Sequence, residues 1–439
     1  MTVTKPSETL EHKVTDLLHE GFNARAFGKY RLPEALGDSR WTDEMIVATW
    51  YMAETGEVPP DLNYKTGRSN GGFDRLDFKF LDEQEWLEHS DALDTTLELN
   101  RRGDERDKLS CDLPFYGGGM SYGSVSLNVM MARAQNSAKW NTYMSTGEGG
   151  YPEPLLEYKD NVITQIATGY FGVEEKYIQS TPIVEFKYAQ GAKPGLGGHL
   201  LAAKAGEEVA KLRGSVAHVS LFSPFPFHST YSVEDHSKHI DWIQTVNPDA
   251  LIAVKVSTPH DVDMVAIGSY YAGAHIIHLD GSYGGTGAAP EIAKKNIAMP
   301  IELAIPKVHK FLEKEGVRDR VTLIASGGVR TTDDIAKAIA LGADGCVLGT
   351  TDLVGLGCTR CSNCEGGPSG RGCPWGLTTT DVELQEWVQP DWAVQRLDNL
   401  YSAMQYRLRD ILRQLGLSSV TELRGRTDLL RYIGKEEAE

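Results

Sequence analysis

The sequence has no apolar run long enough to cross a bilayer, and its N-terminus shows neither the order of a secretory signal nor a transit pattern. A soluble, cytoplasmic protein is the expectation. Basic residues are in the minority, 44 Lys and Arg against 61 Asp and Glu, for a formal net charge of -17. That balance argues against nucleic acid or an anionic membrane surface as partner, while leaving room for a local cationic pocket. Cysteine is scarce, six in 439 residues, and without a secretory signal these thiols are expected to be ligands and not crosslinks. The Gly-x-Gly-x-x-Gly turn of a dinucleotide-binding sheet does not follow the first strand, which weakens a Rossmann reading. Glycine is plentiful instead: 45 of them imply many close backbone approaches. The length suits one large α/β barrel with flanking segments, or two to three smaller domains.

Two features meet between Val321 and Gly376. Val321-Thr-Leu-Ile-Ala325 is an apolar, β-branched strand run, and Ser326-Gly-Gly-Val-Arg-Thr-Thr-Asp-Asp334 follows as a glycine turn opening a helix. Backbone N–H groups at such a turn can receive a phosphate, so Gly327 and Gly328 are candidate ligands, with ordinary βα turns as the alternative. The pattern repeats one unit later, where Cys346-Val-Leu348 ends in Gly349-Thr-Thr351. Two successive strand ends sharing one phosphate is the arrangement after strands seven and eight of a TIM barrel. Just beyond stand Cys358, Cys361, Cys364 and Cys373, with Pro374 following. Their spacing fits a zinc site or an iron–sulfur cluster equally well.

Upstream, residues 1–105 form an N-terminal extension with expected helices at Ser7–His19 and Trp41–Glu54 and no catalytic pattern. Trp41, Trp50 and Trp86 read as core or interface anchors, core being the first expectation for single aromatics. From Leu113 the texture changes. Pro114-Phe-Tyr-Gly-Gly-Gly-Met-Ser-Tyr-Gly-Ser124 places Gly117, Gly118, Gly119 and Gly123 in one loop, as a flavin ring or its ribityl chain would need. Glu148 sits alone in Ser145-Thr-Gly-Glu-Gly-Gly150, a solvated loop residue or a functional carboxylate. Val184–Tyr188 reads as a strand delivering Gln190 and Lys193 on a glycine-rich loop, and Val219–Phe222 is a further apolar run. Lys255 interrupts the apolar strand Ala250–Val256, which is costly unless an anion meets it. His275–Leu279 leads into Asp280-Gly-Ser-Tyr-Gly-Gly-Thr-Gly-Ala-Ala-Pro290, another long glycine loop. Strands alternating with helices, and polar glycine loops only at strand C-terminal ends, predict an α/β fold of the (β/α)8 TIM-barrel type. Residues 106–357 would form that barrel, 358–380 a cysteine loop and 381–439 a C-terminal helical segment. Pro390–Gly416 is expected to be one long helix packed on the barrel.

Gly119-Met-Ser-Tyr-Gly123, Ser145–Gly150, Gly169-Tyr-Phe-Gly172, Ala189-Gln-Gly-Ala-Lys-Pro-Gly195, Gly284-Gly-Thr-Gly-Ala-Ala-Pro290 and Gly425-Arg-Thr-Asp-Leu429 together resemble the FMN-binding synthase domain of glutamate synthases across residues 110–435. The resemblance implies an FMN barrel that reduces an imine of 2-oxoglutarate, beside a 3Fe-4S cluster. Cys358 and Cys364, with five residues between them, and Cys373 would hold the cluster, while an additional Cys361 leaves a 4Fe-4S cluster open. FMN contacts would come from Gly119, Met120, Ser121, Gly284, Gly285, Thr286, Gly327, Gly328, Gly349 and Thr350. Lys255 would face the N1 and O2 edge of the flavin. Gln190 and Lys193 would take the substrate carboxylates, with Glu148 as orienter or proton handler. Ser282, Tyr283 and Tyr170 depart from the family pattern, so substrate delivery is expected to differ. The chain has no glutaminase or glycine-repeat β-helix portion, so such parts are expected as other subunits of a hetero-oligomer. A stand-alone FMN subunit of this size is similar to the large subunit of N-methylglutamate synthase, which uses methylamine and glutamate. An ammonia-using glutamate synthase subunit is the alternative, and a non-catalytic flavin and cluster scaffold a second.

Overall fold

Eight short apolar runs become parallel strands: β1 (Phe115–Gly117), β2 (Met144–Ser145), β3 (Val162–Ala167), β4 (Ile183–Lys187), β5 (Leu251–Ser257), β6 (Ile276–Asp280), β7 (Thr322–Ser326) and β8 (Gly345–Leu348). Each pairs with the next in sequence, and β8 pairs with β1, so the sheet closes as a (β/α)8 barrel. The computed structural model describes residues 36–60, 72–88, 92–106, 108–285, 289, 292–294, 296–365 and 370–433. The helix expected at Ser7–His19 lies outside the described residues.

Side-chain alternation along each strand divides the core in two. In β5, Leu251 and Ala253 join Tyr116, Ile163, Ile183, Ile276, Ile324 and Val347 in a cluster filling the barrel interior. Ile252, Val254 and Val256 between them pack outward against the helical layer. That layer includes α1 (Asp43–Thr55), α2 (Leu127–Lys139), α3 (Glu175–Ser180), α4 (Glu207–Arg213), α5 (Val233–Val246), α6 (Val262–Ala272), α7 (Ile301–Lys314), α8 (Thr332–Leu341), α9 (Thr350–Gly355) and α10 (Pro390–Gln414). A two-stranded ribbon, Leu97–Glu98 with Ser110–Cys111, plugs the N-terminal end, placing Leu97, Leu99 and Cys111 in the interior cluster. Function is therefore confined to the opposite mouth, where the strand C-termini converge.

The expected long helix is α10. Its stripe Leu397, Leu400, Tyr401, Met404, Leu408 and Ile411 is buried on the barrel. Proline opens its first turn, where no amide donor is needed, and Gly416 follows its end at φ 69°. Trp41 and Trp50 are core residues at 4% and 7% exposure, packed with Ile46 and Val354, whereas Trp86 is only partly buried. Of the run Val219–Phe222 only Leu221–Phe222 pairs, antiparallel to His199–Leu200 and outside the barrel. The β4–α5 connection is thus a long excursion over the mouth, an arrangement that apolar content alone does not distinguish from a barrel strand.

Candidate active site

The inward positions nearest the mouth are polar. Gln165 on β3 stands beside Glu185 on β4, and Asp280 on β6 lies between Ser257 and Ser326 on its two neighbours. These residues form one hydrogen-bonded chain. Gln165 Nε2 donates to Glu185 Oε1 at 2.5 Å, Glu185 Oε2 meets His278 Nδ1 at 2.8 Å, and His278 Nε2 meets Ser326 Oγ at 2.7 Å. Ser326 in turn donates to Asp280 Oδ1 at 2.6 Å. Asp280 Oδ2 accepts the Gly191 N–H at 2.9 Å and lies 3.5 Å from Lys255 Nζ. Burial pushes Glu185 and Asp280 up, but His278 and Lys255 outweigh it and hold both carboxyls below their ordinary range. Lys255 therefore meets an anion, as its strand position required, and that anion is a side chain of the next strand.

At the ends of β2 and β4 one carboxylate faces several cations. Glu148 Oε2 is 3.0 Å from Lys187 Nζ, with Arg213 and Lys193 also close enough to act on it. Burial raises Glu148, and these cations more than reverse the effect. Lys193 is only 3% exposed. Burial first and Lys187 second bring it down to about 8, against the pull of Glu148. Glu148 is thus neither solvated nor alone. Gln190 lies on the same loop, its carbonyl accepting the Lys193 N–H at 3.4 Å. Gly191, which donates to Asp280, ties that loop to the polar chain below.

The glycines divide into two kinds. A Cβ on Gly117 would lie 2.5 Å from Arg133, and one on Gly118 would lie 2.9 Å from Val347, so these two serve protein packing and not a ligand. Gly119 faces inward, its Cβ position 2.9 Å from Gln165 Nε2. Met120 is half-buried beside it, while the Ser121 hydroxyl accepts from Arg213 Nη2 at 3.1 Å. Gly327 and Gly328 turn the chain after β7 at φ 85° and 121°, where a side chain is strained. A Cβ on Gly327 would collide with the Gly281 backbone. Gly284 lies over Asp280 and Ala192, and Gly285 faces the Thr350 hydroxyl, 3.2 Å from its Cβ position. Gly349 has open space where a side chain would point. Thr286 lies outside the described residues.

The N-terminal extension, in which the sequence shows no catalytic pattern, reaches this end of the mouth. The Arg40 guanidinium stacks on the Tyr283 ring, 3.8 Å from its centroid, and the Arg40 carbonyl accepts from Arg330 Nη1 at 2.8 Å. Asp38 receives Arg360 of the cysteine loop at 2.7 Å. Among the described residues, no three His, Cys, Asp or Glu side chains converge closely enough to hold a single metal ion. The four thiols are nevertheless neighbours. Burial, then Cys373, pushes Cys358 up to about 12, and Cys364 is raised by burial and by both Cys373 and Cys361.

A closed parallel barrel with a charged mouth and glycine turns after β7 and β8 defines a (β/α)8 enzyme fold whose site lies at the strand C-termini. The same fold is seen in a double mutant of flavocytochrome b2 with pyruvate bound, at a TM-score of 0.52 and 17% identity over 99% of this chain and 93% of that one. A family profile described as the conserved region in glutamate synthase matches residues 74–418. The archaeal-type glutamate synthase [NADPH] of Dehalococcoides mccartyi is 37% identical, across 90% of this chain and 82% of its own length. That of Thermotoga maritima is 38% identical, across 91% and 82%. The glutamate synthase [NADPH] large chain of Azospirillum brasilense is 36% identical across 72% of this chain but 21% of its own length. The chain belongs to the glutamate synthase family, and it is an oxidoreductase.

Sequence reading placed Glu148, Gln190, Lys193 and Lys255 at the mouth and missed Gln165, Glu185, Lys187, His278, Asp280 and Ser326. Their common signal is a polar residue at every second position near a strand end, hidden because the intervening residues are apolar.

Proposed function

We propose that the protein is the FMN-binding synthase component of a glutamate synthase, forming L-glutamate from 2-oxoglutarate and ammonia, the ammonia being free or derived from glutamine. The observation that carries this reading is the cradle at β2 and β4, where Glu148 faces Lys187, Lys193 and Arg213, with Glu365 also acting on Lys193. Such an excess of buried cations suits a dicarboxylate. Lys193 and Lys187 would bind its carboxylates and Gln190 would orient the oxo group. FMN, when bound, supplies the two electrons that convert the imine to the amine. The residues present fit it. Gly327, Gly328, Gly349 and Thr350 would hold the phosphate, and Gly119, Met120, Gly284 and Gly285 would border the remainder. Lys255, fixed by Asp280, would set positive charge beside the ring.

The sequence favoured N-methylglutamate synthase, whereas the relatives named above are glutamate synthases, so ammonia takes precedence over methylamine. Purified protein, assembled with the subunits it requires and supplied with a chemical reductant such as dithionite to keep the flavin reduced, is offered 2-oxoglutarate with ammonia or with methylamine, and the amino-acid product is identified. Glutamate from ammonia, with FMN released by acid, supports the proposal. N-methylglutamate as the sole product returns the methylamine reading, and FAD as the released flavin removes the FMN assignment.

The cysteine loop, on the same reading, holds a 3Fe-4S cluster through Cys358, Cys364 and Cys373. Cys361→Ser should leave iron content and the paramagnetic signal of the oxidised cluster largely intact, while Ser at any of the other three abolishes both. Loss of iron in Cys361→Ser would mean a 4Fe-4S cluster with four ligands. Glutaminase-like and β-helical subunits complete the expected hetero-oligomer.

A further inference from the structure

We propose that Arg40, carried by the N-terminal segment and not by the barrel, is a ligand of the cofactor phosphate. The inference rests on the FMN reading and assigns a binding role to a part of the chain in which no motif is found. Two independent approaches place the guanidinium. It lies on the face of Tyr283, in the glycine loop after β6. It also lies beside the turn after β7, with Arg40 Nη2 3.6 Å from the Cβ position of Gly328. Gly72, at φ 66°, also lies against the guanidinium, and any Cβ there would overlap Arg40. Glycines at both contacts thus leave room for the arginine head, which is 7% exposed as a residue.

The segment is held firmly where it delivers this charge. The Asp38 carboxylate caps the N–H groups of Arg40 and Trp41 at 2.8 and 2.9 Å, and the same carboxylate binds Arg360 through Nε and Nη2 at 3.0 and 2.7 Å. Gly37 N–H donates to the Thr359 carbonyl at 3.0 Å, and Arg330, held by Asp74 and Asp334, donates to the Arg40 carbonyl. Each of these contacts fixes the backbone or a neighbouring side chain of the segment that carries Arg40. A planar cation on an aromatic face, next to a glycine turn with outward N–H groups, has the geometry to bind a phosphate dianion.

A structural brace between the extension and the barrel is the competing role, and riboflavin, which lacks the phosphate, separates the two. Full-length protein is stripped of flavin, checked for recovery on re-addition, and titrated with FMN and with riboflavin by flavin fluorescence. Wild type should bind FMN far more tightly than riboflavin. Arg40→Ala should weaken FMN by about tenfold or more, the loss of one charge-assisted contact, and change riboflavin little. Arg40→Gln keeps a polar but shorter, uncharged side chain, and carries the same comparison should the alanine variant not fold. An unchanged ratio of FMN to riboflavin affinity, or an equal loss of both, overturns the proposal in favour of a brace. A wild type without preference for FMN would instead remove the phosphate site itself, and Arg40's role with it.

Discussion

Lys193 shows how one side chain can trade stability for binding. In the unfolded chain a lysine keeps its proton to about pH 10.4, but in the folded protein burial and Lys187 bring Lys193 down to about 8. The folded state therefore binds fewer protons between those values, and stability from this residue rises with pH through that window. Below pH 8 the buried charge is a cost. Lys193→Met should accordingly raise the melting temperature by a few degrees at pH 7, with the advantage shrinking towards pH 10, as thermal unfolding at several pH values would read. The same variant should bind 2-oxoglutarate poorly at every pH. In wild type the KM for 2-oxoglutarate should climb as pH rises through about 8, with kcat less affected. A flat KM from pH 7 to 9 would take Lys193 out of the cradle. This residue was legible because a lysine framed by glycines after a strand is unusual. Lys187, six residues earlier, was not, since one inward lysine ending an apolar strand resembles the solvated end of any strand.

The elements repeat the pattern at larger scale. Strand runs and the glycine loops after them could be read directly, because β-branched stretches and permissive turns are local properties of the chain. What local pattern could not give is which loops touch. Gly191 and Gly281 belong to the loops after β4 and β6, ninety residues apart, yet a Cβ on Gly191 would collide with the Gly281 backbone, and so would one on Gly327 after β7. Three strand ends thus meet at a single point without side chains. Gly327→Ala adds a methyl group both at φ 85° and at that contact, so it should cost on the order of 1–3 kcal/mol in backbone strain alone. Flavin content should fall with it, because the turn that would hold the phosphate must move. Gly349→Ala is the control. Its Cβ would meet nothing and its φ is -123°, so stability should change by less than about 1 kcal/mol. Equal losses in denaturant unfolding for the two variants would mean that the crowding at Gly281 is not what requires glycine.

The whole barrel carries depressed carboxylates at both ends. Glu148, Glu185 and Asp280 stand at the mouth, and at the plugged end Asp344 accepts from Arg318 at 2.8 Å, Arg101 at 2.9 Å and Arg424 at 3.0 Å. Burial raises Asp344, but the three guanidiniums and the Leu323 N–H overcome it. Groups of this kind stabilise the fold above their unfolded pKa of about 4 and lose that contribution as pH falls through the lower folded value. Asp352 works the other way. Its pKa is raised by burial despite Arg133, 2.9 Å away, so it takes up a proton earlier in the folded protein and blunts the acid slope. Glu302 is likewise raised by burial, but depressed carboxyls outnumber these two, and burial holds His236 and His275 down to about 4, so that unfolding lets them take up protons below about pH 6.5. Unfolding free energy should therefore begin to fall below about pH 6.5 and fall more steeply below about pH 4. Asp344→Asn tests the plugged end separately from the active mouth. It leaves three buried or half-buried arginines without their shared anion, which should cost about 3–5 kcal/mol at pH 7. It should also flatten the acid slope, because the group that protonates there is gone. Flavin binding at the mouth should survive in whatever fraction remains folded. Urea unfolding of both proteins at pH 7 and pH 4 would measure this, and a variant with wild-type acid slope would show that Asp344 does not titrate in that window.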